Sequence, residues 1–86
     1  MNINQLREIV KNKLIKSIVC DNIEVEDKTF LHKNHNSHDK NKFHIKLIIT
    51  SSEMKRKNKI QSTKEIYKII EEELKNNIHS IQILIY

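Results

Sequence analysis

Between Phe43 and Thr50 the chain reads FHIKLIIT, with Phe43, Ile45, Leu47 and Ile49 at every second position. Side chains alternate across a strand, so this spacing puts the four on one face and makes the segment the strongest strand signal in the chain. It is the expected centre of a sheet. The run Ile23-Glu24-Val25-Glu26-Asp27 alternates apolar with acidic residues and reads as a shorter strand with one wet face. The last eight residues, from His79 to Tyr86, alternate in the same way with Ile81, Ile83 and Ile85 on the core side.

Helices are needed to cover the apolar face, and two stripes supply them. Ile3, Leu6, Val10, Leu14 and Ile18 recur at three- and four-residue spacing, which predicts a helix from about Gln5 to Ile18 capped by Asn2 or Asn4. Ser51 and Ser52 open a short helix or turn through Met54. Ser62-Thr63-Lys64-Glu65 has the form of a capping box, and Ile66, Ile69, Ile70 and Leu74 follow it at helical spacing. A long helix is therefore expected to start at Ser62. It should run past a solvated turn at Glu71, Glu72 and Glu73, where Glu71 can pair with Lys75, and stop near Asn76 or Asn77 in a left-handed cap.

The resulting order is αββααβ in a single domain over residues 1–86. The first two strands pair antiparallel, and a right-handed helical crossover returns the last strand parallel to one of them. The fold class is α/β (α+β), with a three-stranded mixed sheet covered by helices on one face.

Composition narrows the function classes. With 86 residues there is room for one core and not for a deep enzyme cleft. No Ser/His/Asp set or paired-carboxylate motif is present, so catalysis is not expected. The 16 Lys and Arg against 11 Asp and Glu give a net charge of +5, which attracts phosphate backbones but is also common on proteins that bind none. One cysteine, Cys20, allows no intramolecular disulfide and no multi-cysteine zinc site, and fits a reducing compartment. It reads as a small hydrophobe. The N-terminal segment has no apolar run suited to a signal peptide or a membrane span.

Two segments remain as candidate sites. A polar stretch, expected to be a flexible loop at about 29–41, carries His32, His35 and His38 without periodicity and on its own reads as a polar insertion. His44 stands on the outer face of its strand, as a solvated or packed side chain. Lys55-Arg56-Lys57-Asn58-Lys59 places four positive charges in five residues, either as a solvated turn or as a binding surface for an acidic protein or a nucleic acid.

The αββααβ order is shared by class II KH-like nucleic-acid modules and BolA-like proteins, so residues must decide between them. The segment FHIKLIITSSEMKRKNKIQSTKEIYKIIEEELKNNIHSIQILIY, from Phe43 to Tyr86, resembles the second half of a BolA-like domain without gaps. It has the family's strand, basic turn, long helix ending in E-E-L, and I-H entering the last strand; IEVED at Ile23 to Asp27 is similar to the family's first strand. Two positions depart. Arg56 stands where the family usually has Gly, and Ser62-Thr63-Lys64 stands in place of an Arg-His-Arg triplet, so Lys64 is its only basic member. A KH module clamps the nucleic-acid backbone with a GXXG loop, whereas this chain has no glycine.

The resemblance implies a non-enzymatic partner of a monothiol glutaredoxin, monomeric alone and heterodimeric with the partner. The two would share a [2Fe-2S] cluster with glutathione, in iron–sulfur trafficking or iron-status regulation, with no cofactor in the isolated protein. His79 matches the family's C-terminal ligand histidine. The second ligand would come from the loop between the first two strands, with His38 favoured over His35 because it lies nearer the central strand. Imidazole is a competent ligand of such clusters. The alternative is a nucleic-acid module using Lys55, Arg56, Lys57, Lys59 and Lys64. The resemblance points to the cytoplasm, with the nucleus and the mitochondrion also open.

Overall fold

The computed structural model describes residues 1–29 and 42–86. Its elements are α1 (Ile3–Ser17), β1 (Asn22–Asp27), β2 (Phe43–Thr50), α2 (Ser52–Arg56), α3 (Lys59–Ile69), α4 (Glu71–Asn76) and β3 (Ile78–Ile85). The sheet order is β1-β2-β3, antiparallel between β1 and β2 and parallel between β2 and β3. The strand expected at the centre is the central strand.

Alternation decides which side of the sheet is covered. Ile45, Leu47 and Ile49 of β2 and Ile23 and Val25 of β1 are buried. Leu6, Val10 and Leu14 on one stripe of α1 have no exposed surface, and α1 packs on β1 and α3 while α4 packs on β3. The opposite sheet face carries Glu24, Lys46, Ile48, Gln82 and Leu84, related by register across the three strands.

Helix α1 starts two residues earlier than the periodicity predicts. The Asn2 side chain accepts from the Gln5 amide at 2.9 Å, and the Gln5 side chain accepts from the Asn2 amide at 3.0 Å. Both otherwise orphaned donors are thereby satisfied. On the other side of the helix, Arg7 Nε donates to the Val25 carbonyl at 2.9 Å and fixes α1 along β1.

Three expectations about the second half are corrected. Ser62 does not cap a helix: Asn58 does, accepting from the Gln61 amide at 2.8 Å, and α3 begins at Lys59. Ser62 is instead buried within α3, its hydroxyl 3.0 Å from the carbonyl oxygens of both Met54 and Asn58. A hydroxyl on that face ties α2 to α3. The long helix is also interrupted at fully buried Ile70, where the backbone leaves helical geometry and α4 begins. Finally, Asn77 ends α4 at φ −129°, and no described residue has positive φ. The left-handed cap is absent there because the chain passes almost directly into β3.

The acidic turn is only partly solvated. Glu73 is 5% exposed, and both its oxygens accept from Lys13 Nζ, at 2.9 and 2.7 Å, with Glu72 3.6 Å from the same ammonium. The ion pair therefore joins α1 to α4, sixty residues apart in sequence. Hydrogen bonding to Glu73 holds the Lys13 ammonium above its ordinary pKa of 10.5, against the opposing effect of burial.

Lys13→Met leaves a buried carboxylate unpaired and should cost about 1–2 kcal/mol, less than a fully buried pair because Lys13 keeps some water contact. Adding Glu73→Leu should recover most of the loss, read as urea midpoints at constant m-value. A raised folded-state pKa stabilises below the unfolded value and is lost above the folded one, so this deficit should be level near neutral pH and shrink as the pH rises above 10.5. Asn58→Ala should cost about 1 kcal/mol as the loss of an N-cap. Thermal melts would show whether Asn58 carries that role.

Candidate functional site

His79 owes its position to an irregularity in the sheet. Phe43 stands opposite Ile78 and His44 opposite Ser80, so the parallel register shifts and His79 has no counterpart on β2. The extra residue is exposed at the start of β3. Its ring lies beside that of His44, with centroids 4.8 Å apart and planes inclined by 54°.

His44 is the opposite case, only 5% exposed. Its Nδ1 is 2.6 Å from the Ser80 hydroxyl, its amide donates to Thr29 Oγ1 at 3.1 Å, and its carbonyl accepts from the Lys28 amide at 2.7 Å. Thr29 is itself fixed through its amide, which donates to Asp27 Oδ1 at 3.0 Å. A buried imidazole held this way has a fixed ring and a defined neighbour for His79. A depression of about 240 Å³ adjoins it, lined by Lys28, Lys46, Ser80 and Gln82 among others.

The loop histidines expected to complete the site, His35 and His38, lie outside the described residues, as does His32. What is described is the frame around them. Thr29 and Phe43, on either side of residues 30–41 and Lys42, are both hydrogen-bonded at the His79 end of the sheet, Thr29 to His44 and Phe43 to the Asn77 carbonyl at 2.9 Å. Among the described residues, no three His, Cys, Asp or Glu side chains converge into a metal-holding group. Alternation places His44 on the outer face of β2 as a packed or solvated side chain; it is packed, and its ring lies beside that of His79. Alternation alone cannot show that pairing, because the register shift that creates it depends on contacts between β2 and β3.

The basic run lies elsewhere. Lys55 and Arg56 are exposed at the end of α2, Lys59 and Lys64 are exposed on α3, and Lys57 is half-buried in an ion pair with Glu65 at 2.7 Å. Lys55, Lys57 and Lys59 line a groove of about 270 Å³ whose other wall is Ile83, Leu84 and Ile85. Arg56 and Lys64 do not line it. His79 and Ile85 are six steps apart along the strand, so the two regions are about 20 Å apart along β3.

Cys20 is half-buried, and burial, with the Asp21 carboxylate beside it, pushes its thiol above the ordinary value. That is the environment of an unreactive thiol. Among the described residues no helix is long and apolar enough to cross a membrane.

Comparison with known proteins agrees with the fold. The family model described as BolA-like protein matches residues 14–86. A curated relative, the DNA-binding transcriptional regulator BolA of Haemophilus influenzae, is 25% identical over 81 residues, covering 94% of this chain and 76% of the relative. Among solved structures, the BolA domain of SufE1 from Arabidopsis thaliana superposes with a TM-score of 0.75 at 27% identity, covering 99% of this chain and 92% of that one. BolA1 from the same plant also gives 0.75, at 22% identity, covering 92% and 87%. With the family's pattern matched across both sheet pairings and all but the first turns of α1, the chain belongs to the BolA-like protein family.

Proposed function

We propose that this protein is a non-enzymatic partner of a monothiol glutaredoxin, with which it shares or receives a [2Fe-2S] cluster in iron–sulfur trafficking or iron-status regulation. The observation that carries this reading is His79: an exposed imidazole, set out of register at the mouth of β3 and braced by a second ring. Family membership supplies the context. The cytoplasm or nucleus is the proposed setting.

The residues present fit one side of such a ligand set. His79 offers an exposed imidazole, and the ring of His44, locked against Ser80, limits how it can turn. A neutral imidazole binds through one nitrogen, so a restricted ring favours one approach. His38 or His35 is the proposed second ligand, and the glutaredoxin cysteine and glutathione are the proposed remainder. When bound, the cluster supplies electron-transfer chemistry and transferable iron and sulfide; this chain's part is to present and orient its imidazoles.

A second reading has its own support. The Haemophilus relative is named a DNA-binding transcriptional regulator, and the basic run here is exposed except for Lys57. Against it, Glu65 neutralises part of that run, and no glycine is available to bring a phosphate backbone close.

Titration of the labelled chain with apo glutaredoxin should shift the amides of His79, Ser80 and Phe43. Shifts confined to α1 would contradict the assigned surface. Mixing with cluster-loaded glutaredoxin and glutathione should change the visible spectrum, and His79→Ala should alter or abolish that change while leaving stability within about 0.5 kcal/mol, as expected at an exposed site. A spectrum indifferent to the substitution rules out His79 as a ligand. For nucleic acid, binding at low salt should collapse when Lys55, Arg56, Lys57 and Lys59 become Ala; no binding even at low salt would eliminate that reading.

A further inference from the structure

The C-terminal half of β3 has an edge and a wall that the cluster reading does not use. Among the described residues, β3 pairs with β2 on one side only. Tyr86 faces β2 with both its backbone groups: its amide donates to the Ile49 carbonyl and its carbonyl accepts from the Ser51 amide, each at 2.8 Å. Backbone groups in a parallel strand alternate from one side to the other, so those of Ile83 and Ile85 point away from β2. They face the groove beside α2 and α3, where Met54 adds an apolar contact and Lys55, Lys57 and Lys59 form the rim.

The two outer edges of the sheet differ. β1 is six residues long with three acidic side chains, while β3 has eight residues and no Lys, Arg, Asp, Glu or Pro. An edge without such residues is a template for pairing with another strand. We propose that this edge takes up an extended, acidic segment of another protein as a fourth strand, with its backbone on Ile83 and Ile85 and its carboxylates on the lysine rim.

The groove itself selects this occupant over a nucleic acid. The outward carbonyls of Ile83 and Ile85 need donors, which a peptide backbone has and a phosphodiester lacks. Among the described residues, no aromatic side chain lines the groove to stack a base. Acidity follows from the rim, where an incoming carboxylate would compete with Glu65 for Lys57. Attraction of this kind speeds encounter and weakens with salt.

The test uses the full labelled chain and a terminally blocked octapeptide alternating valine with glutamate. At low salt the amides of Ile83 and Ile85 should shift and exchange more slowly with solvent. Binding should weaken about tenfold or more in the Lys55→Glu, Lys59→Glu double variant, whose two sites are exposed and whose spectrum elsewhere should match the parent. His79→Ala should bind the peptide unchanged, which separates this site from the cluster reading. A lysine-for-glutamate peptide, or one with its pairing amides N-methylated, should not bind. The proposal is overturned if the acidic peptide leaves Ile83 and Ile85 unmoved, if the lysine or N-methylated peptide binds as well, or if a single-stranded oligonucleotide moves those amides and the acidic peptide does not.

Discussion

β2 is held on three sides at once, and the rest of the domain is arranged around that fact. Its backbone is paired to β1 and to β3, and one of its faces is sealed by helices, leaving Leu47 and Ile49 with no exposed surface. A strand so enclosed must satisfy its polar backbone on both edges. The antiparallel partner is reached across residues 28–42, but the parallel one requires a crossover, which α2, α3 and α4 provide. These helices then have to be anchored to each other and to α1. Ser62 does so with a buried hydroxyl, and the Lys13–Glu73 pair with a carboxylate that is buried and an ammonium that is partly exposed.

The readable parts of the sequence were those governed by short-range repetition. Strand alternation in β2 and β3 and the helical stripe of α1 fall within a few residues, and the structure follows them. The misread parts were those where a local pattern and a tertiary contact competed for the same residue. Ser62 fits a capping box with Glu65, yet its hydroxyl lies beside the Met54 carbonyl on another helix. Glu73 sits in a run of three acids that reads as solvated, yet it is buried by a lysine sixty residues away. Ile70 continues the apolar stripe and gives no sign of the break in the helix. None of these contacts leaves a trace in spacing.

The site divides along the same line. His79 was identifiable from its resemblance to a family position, but its exposure comes from the register shift opposite Phe43 and His44, and its neighbour comes from β2. His44, by contrast, was assigned only to a face. The basic run was plain in the sequence, whereas its unequal members were not: Lys57 is tied to Glu65, and only Lys55, Lys57 and Lys59 of the run line the groove along β3. Histidine and lysine features thus lie toward opposite ends of one strand.

No described residue has a positive φ, and the chain contains neither glycine nor proline. The described backbone therefore nowhere demands a residue for its own conformational freedom. Constraint on substitution falls on side chains alone: volume in the core, and polarity at a few joints such as Ser62 and Glu73. A scaffold of this type can drift widely in sequence while its path through space stays the same, and identities of 22–27% beside TM-scores of 0.75 are what such drift leaves. For protein engineering, it is a frame on which exposed positions other than the capping residues Asn2 and Asn58 can be rewritten with no positive-φ position to preserve along the described backbone.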